Sequence, residues 1–207
     1  MSGAERRERS RLRSAKTATG LVPVEVRVPP ALLQDRVSEL AADITRAYIG
    51  TNPLLVTVLK GGTFFLADLV RRIPLPLEVD FLAISAYGRG GTARILKDLD
   101  QDVTGRHVLV VEDIVDTGLT LTYLLQVVAA RSPASLRVCA LLDRSVRRIA
   151  DLPLDWVGFE VGDEFLVGYG LDADERLRNV PAVIAVHDLQ ALDADPEGVV
   201  SAALGAR

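Results

Sequence analysis

Residues 107–120 constrain this chain more than any other segment. A β-branched apolar run over residues 107–111 meets three carboxylates, Glu112, Asp113 and Asp116, and then Thr117-Gly118-Leu119-Thr120. The spacing predicts a strand over 107–111, a polar turn over 112–120 and a helix over 121–130. Similar runs predict strands at 54–59, 78–85 and 135–142, with shorter ones at 156–160, 165–167 and 182–187. Leu33, Val37, Leu40, Ile44 and Ala47 recur at threes and fours, one face of a helix over 31–49 closed by Gly50, Asn52 and Pro53. A second helical pattern runs from Lys60-Gly61-Gly62 to about Arg72, where Pro74 and Pro76 break it. Gly88, Gly90 and Gly91 make residues 86–92 a loop. Strands alternating with helices predict an α/β fold, a central, mainly parallel sheet flanked by helices, with ligands at the carboxyl ends of the strands.

The acids at that carboxyl end carry chemistry. Like charges gathered where a strand leaves the core oppose folding unless cations or sugar hydroxyls meet them. The residues that follow bring small side chains and backbone N–H groups to a helix N-terminus, where the dipole and the unpaired donors both favour a phosphate. Thr117 and Thr120 add hydroxyls. The plain alternative is a polar turn in which Asp116 or Thr117 caps the helix. Three acids, a glycine and two threonines within nine residues favour the site.

Composition limits the rest. A length of 207 residues suits one domain with a substantial core. Hydrophobic residues at 49% and charged residues at 25% exclude a largely disordered or collagen-like chain. Cys139 is the only cysteine, so no intrachain disulfide forms and a reducing, cytoplasmic setting is expected. No apolar run approaches the ~18 residues of a membrane-spanning helix, so no membrane partner is expected. In residues 1–20, Arg6, Arg7, Arg9, Arg11, Arg13 and Lys16 outnumber Glu5 and Glu8 by four charges. The net charge of −4 therefore leaves −8 on residues 21–207. An acidic body disfavours nucleic acid and suits divalent cations. The basic segment lacks the apolar stretch of a secretory leader and is expected to be a disordered tail. A domain over 21–187 and a second tail over 188–207, thin in large apolar side chains, complete the expectation.

Glu112-Asp113-Ile114-Val115-Asp116-Thr117-Gly118 resembles the ribose-phosphate signature of type I phosphoribosyltransferases. The chain is similar in particular to their 6-oxopurine (hypoxanthine–guanine) branch. Val58-Leu-Lys-Gly-Gly62, Phe64-Phe65, Ala67-Asp68-Leu69, Arg94-Ile-Leu-Lys-Asp-Leu99, Val157-Gly-Phe159 and Glu164-Phe-Leu-Val-Gly-Tyr-Gly-Leu-Asp172 carry that likeness, over about residues 22–187. The resemblance implies the type I phosphoribosyltransferase fold, with a small hood built from the late strands. It also implies purine salvage, in which a purine ring nitrogen displaces pyrophosphate from phosphoribosyl pyrophosphate.

By the same resemblance, Glu112 and Asp113 hold the ribose hydroxyls. Asp116 is the general base, and Asp116, Thr117, Gly118, Leu119 and Thr120 cradle the 5′-phosphate. Lys60, Gly61 and Arg178 contact pyrophosphate; in the family the peptide before that lysine is often cis, which the sequence leaves open. Phe165 stacks on the purine, the Leu166 backbone reads its edge, and Ala86 and Tyr87 belong to a closing lid. The cofactor is Mg²⁺, held at Glu112 and Asp113 with a second ion at Asp172. Such enzymes are commonly homodimers or homotetramers.

Several positions depart from the family pattern. Arg144 stands where a lysine usually donates to the purine 6-oxygen, and its planar fork is bulkier; lysine is scarce throughout, at Lys16, Lys60 and Lys97 only. Ala86 replaces a serine, the 88–93 stretch is several residues short, and Ala173 and Leu177 stand where aromatics are common. Taken alone, Phe165 reads as core, Asp172 as a loop acid, Arg178 as a surface charge and Gly61-Gly62 as a tight turn. Cys139 reads as core, and His107 and His187 lack metal-site spacing. Two alternatives stay open: a regulatory protein on the same fold that senses a nucleotide and binds nucleic acid through residues 1–20, and a paralogue preferring xanthine.

Overall fold

The computed structural model describes residues 12–17, 20–85 and 94–204. In chain order the elements begin with β1 (Leu12–Thr17), β2 (Gly20–Val28), α1 (Pro30–Ala47), β3 (Leu54–Val58), α2 (Gly62–Val70), β4 (Glu78–Ser85) and β5 (Arg94–Lys97). They continue with β6 (His107–Val115), α3 (Leu119–Ala129), β7 (Ser135–Asp143), β8 (Trp156–Glu160), β9 (Phe165–Val167), β10 (Val183–Val186), α4 (Leu189–Ala194) and α5 (Pro196–Leu204). Two compact units result: residues 35–163, and the N-terminal segment through Gln34 joined with the C-terminal segment from Glu164.

Residues 35–163 hold a six-stranded sheet in the order β5-β4-β3-β6-β7-β8. Every neighbouring pair is parallel except β4 with β5. The expected mainly parallel α/β sheet is present. Its central strands read as unbroken apolar runs because both faces are covered: residues 54–57 of β3, 108–111 of β6 and 138–142 of β7 are all buried. On one face, Leu121, Leu124 and Val128 of α3 pack with Leu54, Val56, Leu82, Val108, Val110, Val138 and Ala140. Helix α2 lies against β3 and β6 and buries Phe65, Leu66 and Leu69. Helix α1 buries Leu33, Val37, Leu40 and Ile44 of the predicted stripe, with Ala41 beside them; Ala47 is exposed, and Tyr48 just beyond the helix is buried instead. From α1 Arg36 donates to the carbonyls of Val157 (2.7 Å) and Gly158 (3.0 Å).

Strand β6 runs four residues beyond the expected 107–111. Its partner β7 continues beside it, with Glu112 opposite Ala140 and Val115 opposite Asp143. Glu112 and Asp113 thus stand inside a paired strand, Asp116 lies just past its end, and α3 starts two residues before the expected 121.

The other unit is a four-stranded antiparallel sheet, β1-β2-β10-β9. Its core joins Val24, Val167, Val180, Ala182, Ile184, Val186, Leu192 and Val199. The small hood is therefore not a product of the late strands alone, since β1 and β2 form half of it. Val22, Val24, Val26 and Val28 alternate as a half-buried strand should, but Pro23 obscures the signal. Pro23 is accommodated because β2 pairs there with β1 only and meets β10 from Val24 onward. Both stretches expected to be tails contain regular elements among their described residues. Residues 12–17 pair along an otherwise open edge of β2, and α4, capped by Asp188 through a 3.0 Å bond from the Ala191 N–H, is followed directly by α5.

The larger sheet also contains a buried acid that the sequence patterns do not single out. Asp80 of β4 is 3% exposed. It accepts from the N–H groups of Phe81 (2.7 Å), Asp100 (2.8 Å) and Gln101 (2.8 Å) and lies 3.7 Å from Lys97 Nζ. It ties the chain after β5 back onto the sheet. Asp80→Ala leaves those donors without an acceptor and is expected to cost about 2–4 kcal/mol in urea unfolding. A change within experimental error would remove Asp80 from this role.

Candidate active site

The carboxyl end of β6 opens into a cavity of about 200 Å³ lined by Val58, Glu112, Ile114, Val115, Asp116, Thr117, Gly118, Thr120 and Leu121. Strand β6 delivers Glu112, the turn into α3 delivers Asp116, Thr117 and Gly118, and the first turn of α3 delivers Thr120. Gly118 is the residue before the helix and takes φ +82°, a conformation that glycine adopts without strain. Space around it is also tight, though the nearest atoms belong to movable side chains, so the backbone angle is the stronger requirement. A Cβ there would stand 2.9 Å from Leu152 Cδ1 and 3.0 Å from Arg148 Cδ. The first N–H groups of α3 have no partner within the helix and are directed at its N-terminal end, the donor set an anion needs. Leu119 follows, 38% exposed, its N–H 3.4 Å from Thr117 Oγ1.

Glu112 lines the cavity; Asp113 does not, and its Oδ1 accepts from the Ile114 N–H at 2.8 Å. The Glu112 carboxyl is pushed well above the usual carboxylate range, first by burial and then by the neighbouring Asp113 charge. Among the described residues no three metal-ligating side chains cluster. Magnesium does not need such a cluster, because it commonly takes one or two carboxylates and fills its shell with water and substrate phosphates. A carboxyl strained toward its neutral form by burial is one that a cation would relieve, so the residues present fit the ion.

Asp116 meets two guanidinium groups. Arg144, 7% exposed, donates to its Oδ2 from 3.3 Å, and Arg147 Nη1 lies 3.8 Å from the same oxygen. Asp116 Oδ1 is buried and has no hydrogen-bond partner among the described residues. Arg144 thus does reach the predicted site, although through the acid beside it. Arg147 is a residue the sequence reading missed; the basic run from Arg144 to Arg148 directly after a buried strand was the available signal.

At the end of β3, the Leu59–Lys60 peptide is cis. Lys60 is exposed and Gly61 buried. A Cβ on Gly62 would fall 2.1 Å from Thr57 Oγ1, which itself donates to the Val111 carbonyl at 2.6 Å. That packing explains the second glycine. Val58 brings this end of β3 to the cavity, while Lys60 and Gly61 are not in its lining.

The remaining predicted residues belong to the other unit. Phe165 and Leu166 lie in β9, an edge strand, and are 40% and 5% exposed. Asp172 and Arg178 pair with each other at 2.9 Å, and Arg178 also donates to the Gly170 carbonyl at 2.7 Å. Between them Asp174, Glu175 and Leu177 take positive φ of 49°, 66° and 73°, a run of left-handed residues of the kind that concentrates at binding loops. Ala86 and Tyr87 lie outside the described residues.

Comparison with known proteins gives the same answer from outside the chain. The phosphoribosyl transferase domain model matches residues 31–174. Hypoxanthine phosphoribosyltransferase of Salmonella typhimurium is 45% identical over 166 residues, covering 77% of this chain and 93% of that one. The hypoxanthine-guanine phosphoribosyltransferase of Mycobacterium avium is 48% identical over 158 residues, 72% of this chain and 78% of the relative. A crystal structure of a hypoxanthine-guanine phosphoribosyltransferase from Bacillus anthracis superposes with a TM-score of 0.75 at 42% identity, covering 78% of this chain and 97% of its own.

The pH dependence of Glu112 can be worked out from its burial. The folded state holds the Glu112 proton more tightly than the unfolded chain does. Its contribution to stability is therefore whole below the unfolded pKa and is lost as pH rises toward the raised folded value. Without ligands, thermal melts of the wild type are expected to fall more steeply than those of Glu112→Gln as pH rises above 4.5, the ordinary glutamate value. Parallel curves would show that Glu112 is charged in the folded state at no cost. Motif, fold and likeness converge: this chain belongs to the phosphoribosyl transferase family, within its hypoxanthine–guanine branch.

Proposed function

We propose that this chain salvages purines, transferring the 5-phosphoribosyl group of phosphoribosyl pyrophosphate to hypoxanthine or guanine and releasing pyrophosphate. The observation that carries this reading is the cavity at the end of β6, where Glu112, Asp116, Thr117, Gly118 and Thr120 converge on a helix N-terminus. In this reading the N–H groups and hydroxyls of residues 116–120 take the 5′-phosphate, while Glu112 and Asp113 take the ribose hydroxyls. Asp116 accepts the proton of the purine imidazole nitrogen as the bond to the anomeric carbon forms, with a transition state of oxocarbenium character. A buried carboxylate oxygen with no other partner supports that role.

Phe165 stacks on the base, and β9, paired on one side only, leaves a row of backbone groups at Leu166 to read its edge. Arg144 donates to the purine 6-oxygen, exchanging one acceptor, Asp116, for another. Lys60, Gly61 and Arg178 meet the pyrophosphate, and Ala86 and Tyr87 close over the site. Glu112, Asp113 and Asp172 would hold Mg²⁺, which neutralises diphosphate charge and so eases its departure. A cytoplasmic enzyme that assembles as a dimer or tetramer fits the family; Cys139 is free and buried, and among the described residues no helix is long and apolar enough to cross a membrane.

Transfer should be assayed with hypoxanthine, guanine, xanthine and adenine in the presence of Mg²⁺. Turnover of 6-oxopurines is expected, with Asp116→Asn lowering kcat by roughly 10²–10⁴-fold, the usual value of a general base. A strong preference for xanthine would reassign the base. No turnover with any purine, together with tight phosphoribosyl pyrophosphate binding, would point to a sensor.

A further inference from the structure

The segment after β7 does more than carry Arg144. It takes up the carbonyl groups of the phosphate turn one after another. The Val115 carbonyl accepts from the Arg144 N–H at 3.0 Å, and the Thr117 carbonyl from the N–H groups of Ile149 (2.9 Å) and Ala150 (3.1 Å). The Asp116 carbonyl accepts from Arg148 Nε at 3.1 Å, and Arg148 Nη2 lies 3.5 Å from the Val115 carbonyl. The Gly118 carbonyl is taken by Thr122, through its N–H (2.8 Å) and its hydroxyl (2.9 Å). Four successive carbonyls are thereby held out of the cavity. A planar peptide with its oxygen fixed on one side directs its N–H to the other, so these bonds set the direction in which the N–H groups of Thr117, Gly118 and Leu119 point.

Two members of this set are side chains: the Thr122 hydroxyl only doubles a bond that the Thr122 N–H already makes, whereas Arg148 is the sole donor to the Asp116 carbonyl among the described residues, and it is anchored. Arg148 is 16% exposed and forms an ion pair with the Asp143 carboxylate, itself 16% exposed, at the last residue of β7. The Arg148 stem also fills the space that a Cβ on Gly118 would need. The guanidinium is spent on a carboxylate and two carbonyls, an arrangement suited to a planar fork and poorly matched by an ammonium.

We propose that Arg148, oriented by Asp143, is a positioning residue for 5′-phosphate recognition: it fixes the turn 115–118 so that its N–H groups converge on the phosphate, without touching substrate itself. This rests on the purine-salvage reading of the same cavity. It predicts a selective loss, because pyrophosphate is met in that reading by Lys60, Gly61 and Arg178, which lie outside the turn that Arg148 holds.

The test measures dissociation constants of IMP and of inorganic pyrophosphate, each with Mg²⁺, by calorimetry on the full chain, alongside steady-state kinetics and thermal melts. In Arg148→Met, IMP affinity is expected to fall tenfold or more and KM for phosphoribosyl pyrophosphate to rise in step, while pyrophosphate affinity stays within twofold. Arg148→Lys should recover little of the loss, since it restores charge but not the fork. Should Arg148→Met fail to fold, Asp143→Asn, which keeps a neutral acceptor for the guanidinium, is expected to show the same selective pattern at a smaller size. Equal losses for IMP and pyrophosphate, or unchanged IMP binding in a folded variant, would overturn the role. Failure of the wild type to bind IMP at all would instead overturn the reading on which it rests.

Discussion

Everything at the site depends on where β6 is pinned. It lies between β3 and β7, paired in parallel on both sides, and its residues 108–111 are wholly buried. A strand paired on both sides and covered on both faces cannot slide without breaking its ladders and carrying a polar end residue, His107 or Glu112, into the apolar section. The first residues beyond the locked section therefore have fixed positions, and those residues are the acids. Clustered carboxylates are tolerated there because the burial that disfavours them is offset by roughly a dozen apolar side chains in the strands and helices around them, each worth about 1.5–3 kcal/mol.

The same strategy recurs around the sheet: polar side chains reach across to hold the backbone groups of segments at its edges and ends. Asp80 of β4 holds residues 100 and 101, Arg36 of α1 holds the carbonyls of β8, and the segment after β7 holds the phosphate turn. In each case a buried or half-buried side chain satisfies backbone groups that would otherwise lack partners. Loops so restrained can present donors in fixed directions, which is what recognition of phosphate by backbone N–H groups requires.

Far more of this was legible in the core than at its margins. The strands at 78–85, 156–160 and 165–167 match their expected bounds, because short apolar runs bounded by turn residues have few other ways to be buried. β2 was not legible, since Pro23 breaks a pattern that only the one-sided pairing of that position makes acceptable. The helices α4 and α5 were hidden by a composition of Ala, Asp, Gly and Pro, which has little intrinsic drive to pack and takes its order from the sheet beside it. Glu112 and Asp113 are neighbours in sequence, yet only Glu112 reaches the cavity: alternation along β6 sends them to opposite faces, which an expected strand end at residue 111 concealed.

The amino-acid sequence alone determined the parallel sheet, the placing of three acids and two threonines at the end of its central strand, and the family. Those features are read from local signals: each strand, helix and motif shows within about a dozen residues, and their alternation along the chain points to the sheet and the family. The tertiary structure alone decided which side chains face one another across the chain. That Arg144 and Arg147 stand against Asp116 and that Arg148 holds the turn 115–118 depend on register between β6, β7 and the segments that follow them, while the Asp172–Arg178 pair depends on the left-handed turn between its members. Guanidinium groups are long and flexible, so their partners are set by the packing around their stems, and no sequence spacing specifies it.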